Sequence, residues 1–274
     1  MSGDIPLLQL EKITKVFEAG TPHEVRALDR LSLDVREHDY FAIIGSNGAG
    51  KTTLLNAIAG VISIDSGSIR LGTKEIHNIP EYVRASEITR VFQNSTQGLA
   101  LSLTVRENIL LQFQKNKRPW LRSAYHPDGG DSIFHALTDL GLGLERRLDV
   151  PIRYLSHGQM QALSVFLASL PKPQLILLDE HCSSLDPRTA EVVMKATDQM
   201  IAARSLTALM VTHSIRMALD FGNKLIILHE GRVVLELDAE SKRAMTEVDL
   251  LGLFRQKVTS ASLRDKAILS TPKG

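Results

Sequence analysis

The sequence holds a single cysteine, Cys182, among its 274 residues. An intrachain disulfide is therefore excluded, as suits a reducing compartment. No run approaches the roughly 20 apolar residues that a membrane helix needs, so any membrane role requires other chains. Neither sign of charge is in excess: 32 Lys and Arg against 31 Asp and Glu give a formal net charge of +1. That balance offers no bulk attraction to nucleic acid or to an acidic bilayer. The opening residues, MSGDIPLLQLEKIT, carry an early acid and no long apolar stretch, unlike a secretory signal. Internal repeats, low-complexity tracts and sustained heptads are absent. Cys182 beside His181 has no second cysteine or spaced ligand set to make a metal site.

What is present is a core. Hydrophobic residues make up 43% of the chain, enough for one large α/β domain with an inserted lobe, or for two small domains. Short β-rich runs fall at Leu8–Ile13, Leu31–Val35, Tyr40–Ile44, Ile88–Phe92, Leu175–Leu178, Leu206–Val211, Leu225–Leu228 and Val233–Leu237. Phe41–Ile44 and Leu175–Leu178 are apolar throughout, which suits parallel strands covered on both faces. The more alternating runs before Val35, with Gly67–Leu71, predict an antiparallel edge layer. Between about Thr104 and Ala168 the spacing of Val105, Ile109, Leu110 and Phe113 predicts a helical lobe, interrupted by an exposed loop over Asn116–Asp131. Thr246 and Asp249 predict the start of a short amphipathic helix carrying Val248, Leu251 and Phe254. The end, Thr259–Gly274, is read as loosely held.

Gly45-Ser46-Asn47-Gly48-Ala49-Gly50-Lys51-Thr52 has the spacing of a phosphate-binding loop. It follows the strand Tyr40–Ile44 and precedes an expected helix, Thr52–Ala59, ended by Gly60. Such glycines let backbone N–H groups turn toward an anion, and a helix N-terminus adds partial positive charge. Lys51 would reach the β- and γ-phosphates, and the Thr52 hydroxyl would bind Mg²⁺. The alternative is a Gly-rich turn with a solvated lysine. Further on, Leu175–Leu178 ends in Asp179 and Glu180. Adjacent strand residues point to opposite sides, so the two carboxylates can do different work: Asp179 on Mg²⁺, Glu180 on the attacking water. By itself the pair is equally a solvated strand end. Ser156 followed by Gln159 makes a capping-box pattern at the head of an expected helix, Gln159–Ala168.

These motifs resemble the ATP-binding subunits of ABC transporters over about Leu7 to Leu237. Leu155-Ser156-His157-Gly158-Gln159 resembles the family's signature, Gln93 its Q-loop glutamine, Ser184-Leu185-Asp186 its D-loop and His213 its switch histidine. Phe17 stands where the family sets an aromatic ring against adenine; an ordinary core role is the alternative. The signature departs from the family in having His157 for its first glycine and Met160 after it. The resemblance implies a P-loop (RecA-like) α/β core with an antiparallel β edge subdomain and an inserted α-helical subdomain. The ATPase domain would span about 7–240, with the helical insert at about 95–168 and a helical tail over 241–274.

The resemblance also implies the chemistry. ATP would sit on Gly45 to Thr53 (Thr53 included), with Phe17, Gln93 and Asp179. Mg²⁺ would be held by Thr52, Gln93 and Asp179, and hydrolysis would use Glu180, His213, Lys51 and Gln93. Ser156, Gly158 and Gln159 would reach the γ-phosphate of ATP held by a second copy of the chain. A finer resemblance, in Gly20–Ala27, Asp179–Pro187, Met210–Ser214 and Val248–Phe254, is to one branch of bacterial importer ATPases. That branch works with transmembrane permease subunits and an extracytoplasmic solute-binding protein, for tryptophan or related small solutes. It implies a peripheral position on the cytoplasmic face of the cell membrane. Two other readings stay open: an exporter or lipid-handling subunit, or a soluble ABC ATPase of translation or DNA maintenance. The last class usually carries two ATPase units or long coiled coils, and this chain has one phosphate loop and no basic excess.

Overall fold

The computed structural model describes residues 5–114, 135 and 137–257. Two compact units make up the chain, one ending at Arg84 and resuming at Leu209, the other spanning Ala85–Ala208. In the first unit, β1 (Leu8–Phe17), β2 (Val25–Val35), β4 (Ser66–Leu71) and β5 (Lys74–Glu75) form an antiparallel sheet in the order β2-β1-β4-β5. β1 and β2 run further than their apolar patches predict, out to the pair Phe17–Val25. The register shifts between Leu10 and Ile13, where Lys12 takes φ 47°. Ladder hydrogen bonds need no apolar side chain, and a bulged strand breaks the period-2 pattern on which a sequence reading depends.

The same unit contains a parallel pair, β3 (Tyr40–Gly45) and β9 (Lys224–His229), in register from Phe41–Lys224 to Gly45–Leu228. Phe41, Ala42 and Ile43 on β3 and Leu225–Leu228 on β9 are fully buried, as expected of strands covered on both faces. β9 returns antiparallel as β10 (Arg232–Leu237). The two linking residues, Glu230 and Gly231, both have positive φ (47° and 74°), the conformation of a tight two-residue hairpin turn.

Helix α1 (Lys51–Ala59) buries Leu54, Leu55 and Ile58, and ends at Gly60, whose φ of 86° stops it as expected. Its last carbonyls are taken by Arg84, the final residue of α2 (Glu81–Arg84) and only 4% exposed. The guanidinium donates to Ala57 O (2.9 Å), Ile58 O (2.8 Å), Ile79 O (2.7 Å) and His77 O (3.0 Å). A buried cation is tolerated there because backbone dipoles satisfy it.

In the second unit, β6 (Ile88–Val91) pairs in parallel with β7 (Leu175–Asp179). Helix α3 (Val105–Gln114) buries Val105 and Ile109 as their spacing predicts. Helix α4 (His157–Ser169) packs against α3, β6 and α5 (Pro187–Ala203). Sequence reading missed α5. Its stripe Ala190, Val193, Met194, Thr197, Met200 and Ile201 has helical period, and Asp186 caps it ahead of Pro187. Strand β8 (Thr207–Val211), buried throughout, straddles the boundary of the units.

Toward the C-terminus come α6 (Ile215–Asp220), α7 (Ala239–Arg243) and α8 over 247–257. Thr246 and Asp249 make the expected reciprocal cap, Thr246 N–H to Asp249 Oδ2 (3.1 Å) and Asp249 N–H to Thr246 Oγ1 (3.2 Å). The apolar face differs from expectation. Leu250 is fully buried, Phe254 is half-buried, and Val248 and Leu251 are exposed. Leu250 and Phe254 lie four residues apart, on one face of the helix. The side chain of Phe113 and the segments Asn116–Asp131 and Thr259–Gly274 lie outside the described residues. Among the described residues, no helix is long and apolar enough to cross a membrane.

Candidate nucleotide site

The phosphate loop is built in the first unit. β3 delivers Gly45, and Ala49 N–H closes a turn on Ser46 O (3.1 Å). Gly50 must be glycine on two counts. Its φ is 97°, and a Cβ there would stand 2.3 Å from Ala27 O. It leads straight into α1, whose first residue is Lys51 rather than Thr52. Gly50 has no side chain to cap the helix, and no acid lies in its first turn. An α-helix makes no internal use of its first four N–H groups, so this end favours an anion.

Lys51 is not a solvated lysine. It is 5% exposed, and its ammonium donates to Gly45 O (2.8 Å) and Ser46 O (3.0 Å). The positive charge is thus folded over the loop that would take the phosphates. Thr52 is exposed and Thr53 half-buried. Phe17, at the end of β1, is 39% exposed, with the Lys15 ammonium 5.6 Å from its ring centre. It is therefore not a core residue. His213 is exposed in the turn between β8 and α6.

The carboxylates lie in the second unit. Asp179 is the last residue of β7 and is buried; Glu180 follows, half-buried, with φ 47°. Strand alternation does not separate the two, as the sequence suggested, because Glu180 has left the strand. It lies in a left-handed turn instead, a conformation uncommon outside glycine. A cleft of about 450 Å³ brings Asp179 together with Gln93, Ser184 and His157, beside Arg90 and Phe92. Arg90 binds Asp179 Oδ2 at 2.5 Å, a partner that the sequence did not suggest.

Gln93 is exposed on a loop tied down by α4: Gln161 donates to Phe92 O (3.3 Å) and the Ser164 hydroxyl to Ser95 O (3.4 Å). Gln161 is 1% exposed, and it and Ser164, polar residues within a largely apolar helix, are the sequence hints of that clamp. Ser156 caps α4 in the expected box, with Gln159 N–H to Ser156 Oγ at 3.3 Å and Ser156 N–H to Gln159 Oε1 at 3.1 Å. Gln159 is further occupied with Leu142 O (3.0 Å). Gly158 is buried against α5, where a Cβ would stand 2.3 Å from Thr189 Cγ2. Ser156 and Gly158 do not line the cleft.

A family model described as "ABC transporter" matches residues 28–183, more than half of the chain. The chain belongs to the ABC transporter family. It is similar to the tyrosine transport ATP-binding protein of Clostridioides difficile (strain R20291), 39% identical across 92% of this chain and 100% of that protein. It is also similar to the phosphonates import ATP-binding protein PhnC of Hyphomonas neptunium (strain ATCC 15444), 28% identical across 85% and 87%. Among solved structures it resembles a dimeric post-hydrolysis state of the ATP-binding cassette MJ0796 bound to ADP and phosphate. That match has a TM-score of 0.70 and 26% identity, over 85% of this chain and 98% of the other. Like these ABC proteins, the chain is an ATPase coupled to transport, and its α/β fold is that of the cassette.

Two buried groups, His181 and Cys182, follow the carboxylates of this ABC subunit in the chain. Burial pushes the Cys182 thiol up to about 12, leaving an inert packing residue. Burial pushes the His181 imidazole down to about 4. It stays neutral in the folded protein while the unfolded chain takes up a proton near pH 6.5. Between about pH 6.5 and 4 the unfolded state therefore binds more protons, and acidification destabilises the fold, by at most roughly 3 kcal/mol across the window. Urea unfolding at pH 7 and pH 5 tests this. The wild type should lose more stability than His181→Gln, and equal losses would remove His181 from the acid response.

Proposed function

We propose that this chain is the energy-coupling ATPase of a bacterial importer for a small solute such as an amino acid, working as a dimer that closes on two Mg-ATP. The observation that carries the reading is its similarity to a tyrosine transport ATP-binding protein over that protein's full length. The phosphate loop with Lys51 holds the β- and γ-phosphates, and Gly45 to Thr53 wrap them. Phe17 stacks on adenine. Glu180 accepts the proton of the attacking water, oriented by His213 and Gln93.

The residues present fit Mg²⁺. The Thr52 hydroxyl, the Gln93 amide oxygen and the Asp179 carboxylate are hard oxygen donors, the type Mg²⁺ takes. Among the described residues, no group of three or more His, Cys, Asp and Glu is arranged to hold a metal by itself. Mg²⁺ would be shared between these protein groups and substrate phosphates. When bound, it would neutralise charge on the transferring phosphate.

The helix headed by Ser156 and Gly158 meets the γ-phosphate of the second copy's ATP, with Gln159 fixing the cap. Hydrolysis removes the charge that holds the copies together. Opening of the dimer is passed to transmembrane permease subunits, which an extracytoplasmic solute-binding protein serves. The chain then sits peripherally on the cytoplasmic face of the membrane. Co-expressed with its permease subunits, it should fractionate with membranes, and without them it should not. Recovery on ribosomes or DNA in both cases would reverse the reading in favour of a soluble ABC ATPase.

A further inference from the structure

Asp179 does not stand alone at the end of β7. Arg90 lies on β6, paired in register with Leu177, two residues short of Asp179. Its guanidinium packs over the Phe92 ring, 4.9 Å from the ring centre, and reaches forward to Asp179 Oδ2 at 2.5 Å. Phe92 follows directly after the end of β6, and its ring lies against the guanidinium. Both members of the pair are largely out of solvent, with side-chain exposures of 12% and 10%. In such surroundings a charge is poorly screened, and a carboxylate without its counter-ion is costly.

We infer that Arg90 is a positioning residue that stands in for the divalent cation at Asp179. It holds the carboxylate along the cleft, and it sets the cation affinity low until nucleotide is present. The inference rests on the reading of Asp179 as a Mg²⁺-holding residue. The physical reason is direct: a fixed unit positive charge within hydrogen-bond distance of Asp179 opposes a second cation there. Protein and cation compete for one carboxylate, and only a cation whose remaining positions are filled by phosphate oxygens competes well. Arginine suits the task because it never loses its proton and its flat face stacks on Phe92.

The test measures Mn²⁺ binding to the full chain saturated with ADP, by the electron paramagnetic resonance signal of free Mn²⁺. Arg90→Gln should bind Mn²⁺ about tenfold more tightly than the wild type or better, given the size of the repulsion removed. Arg90→Lys keeps the charge and should stay within about threefold of the wild type. Arg90→Met, which keeps packing against Phe92, replaces the glutamine variant if that one does not fold. Unchanged or weaker Mn²⁺ binding in the neutral variants would overturn the inference, as would equal tightening in Arg90→Lys. Binding of a fluorescent ADP in EDTA separates the two levels. Normal ADP binding with unaltered Mn²⁺ affinity sinks the role of Arg90 alone, whereas no ADP binding by the wild type sinks the nucleotide site and this inference together.

Discussion

Glu180→Gln should bind ATP normally yet turn it over about 10² to 10⁴ times more slowly, the range that a positioned general base contributes. The substitution keeps size and hydrogen bonding but leaves no group able to take the proton from water. Glu180 is half-buried directly after the buried strand β7, and its φ of 47° turns it out of that strand. With hydrolysis blocked, the γ-phosphate stays between two copies, so the variant should run as a dimer in ATP and a monomer without it. Phosphate release and light scattering after size exclusion read both effects. Wild-type turnover from a variant that is monomeric in ATP would defeat both the base and the dimer.

Lys51→Ala should weaken ATP binding by about a hundredfold or more and abolish measurable turnover. Charge-assisted hydrogen bonds contribute roughly 1.5–3 kcal/mol each, and the ammonium would make at least one to each of two phosphates. Lys51 is 5% exposed and already bonded to Gly45 O and Ser46 O. Its removal therefore also takes the charged donor from two loop carbonyls. Circular dichroism and unfolding curves must accompany the binding assay, since a variant that binds poorly because it is unfolded says nothing about phosphate. A folded Lys51→Ala with normal ATP affinity would contradict the phosphate-loop assignment.

The local devices follow from short stretches of sequence. The phosphate loop, the stop at Gly60, and the reciprocal caps at Ser156–Gln159 and Thr246–Asp249 were legible because each is closed by backbone and side-chain groups within a few residues. Full burial of Phe41–Ile43 and Leu175–Leu178 was legible too, since a strand with no polar face has nowhere else to go. Gln93 and His213 carried no such local signal; they stood out only through family resemblance.

Tertiary structure decided the rest. Arg90 meets Asp179 across 89 residues of chain, Arg84 caps carbonyls 26 and 27 residues back, and Gln161 holds Phe92 O from 69 residues away. Each contact depends on which elements are neighbours, and that of Arg90 with Asp179 also on strand register, choices that no short window of sequence contains. Glu180 makes the same point at close range. Alternation along β7 predicts where its side chain would lie if the strand continued, but the strand ends at Asp179 and a left-handed turn re-aims the next residue. Local spacing carries the loop and the caps, and long-range packing sets which atoms the more distant residues touch.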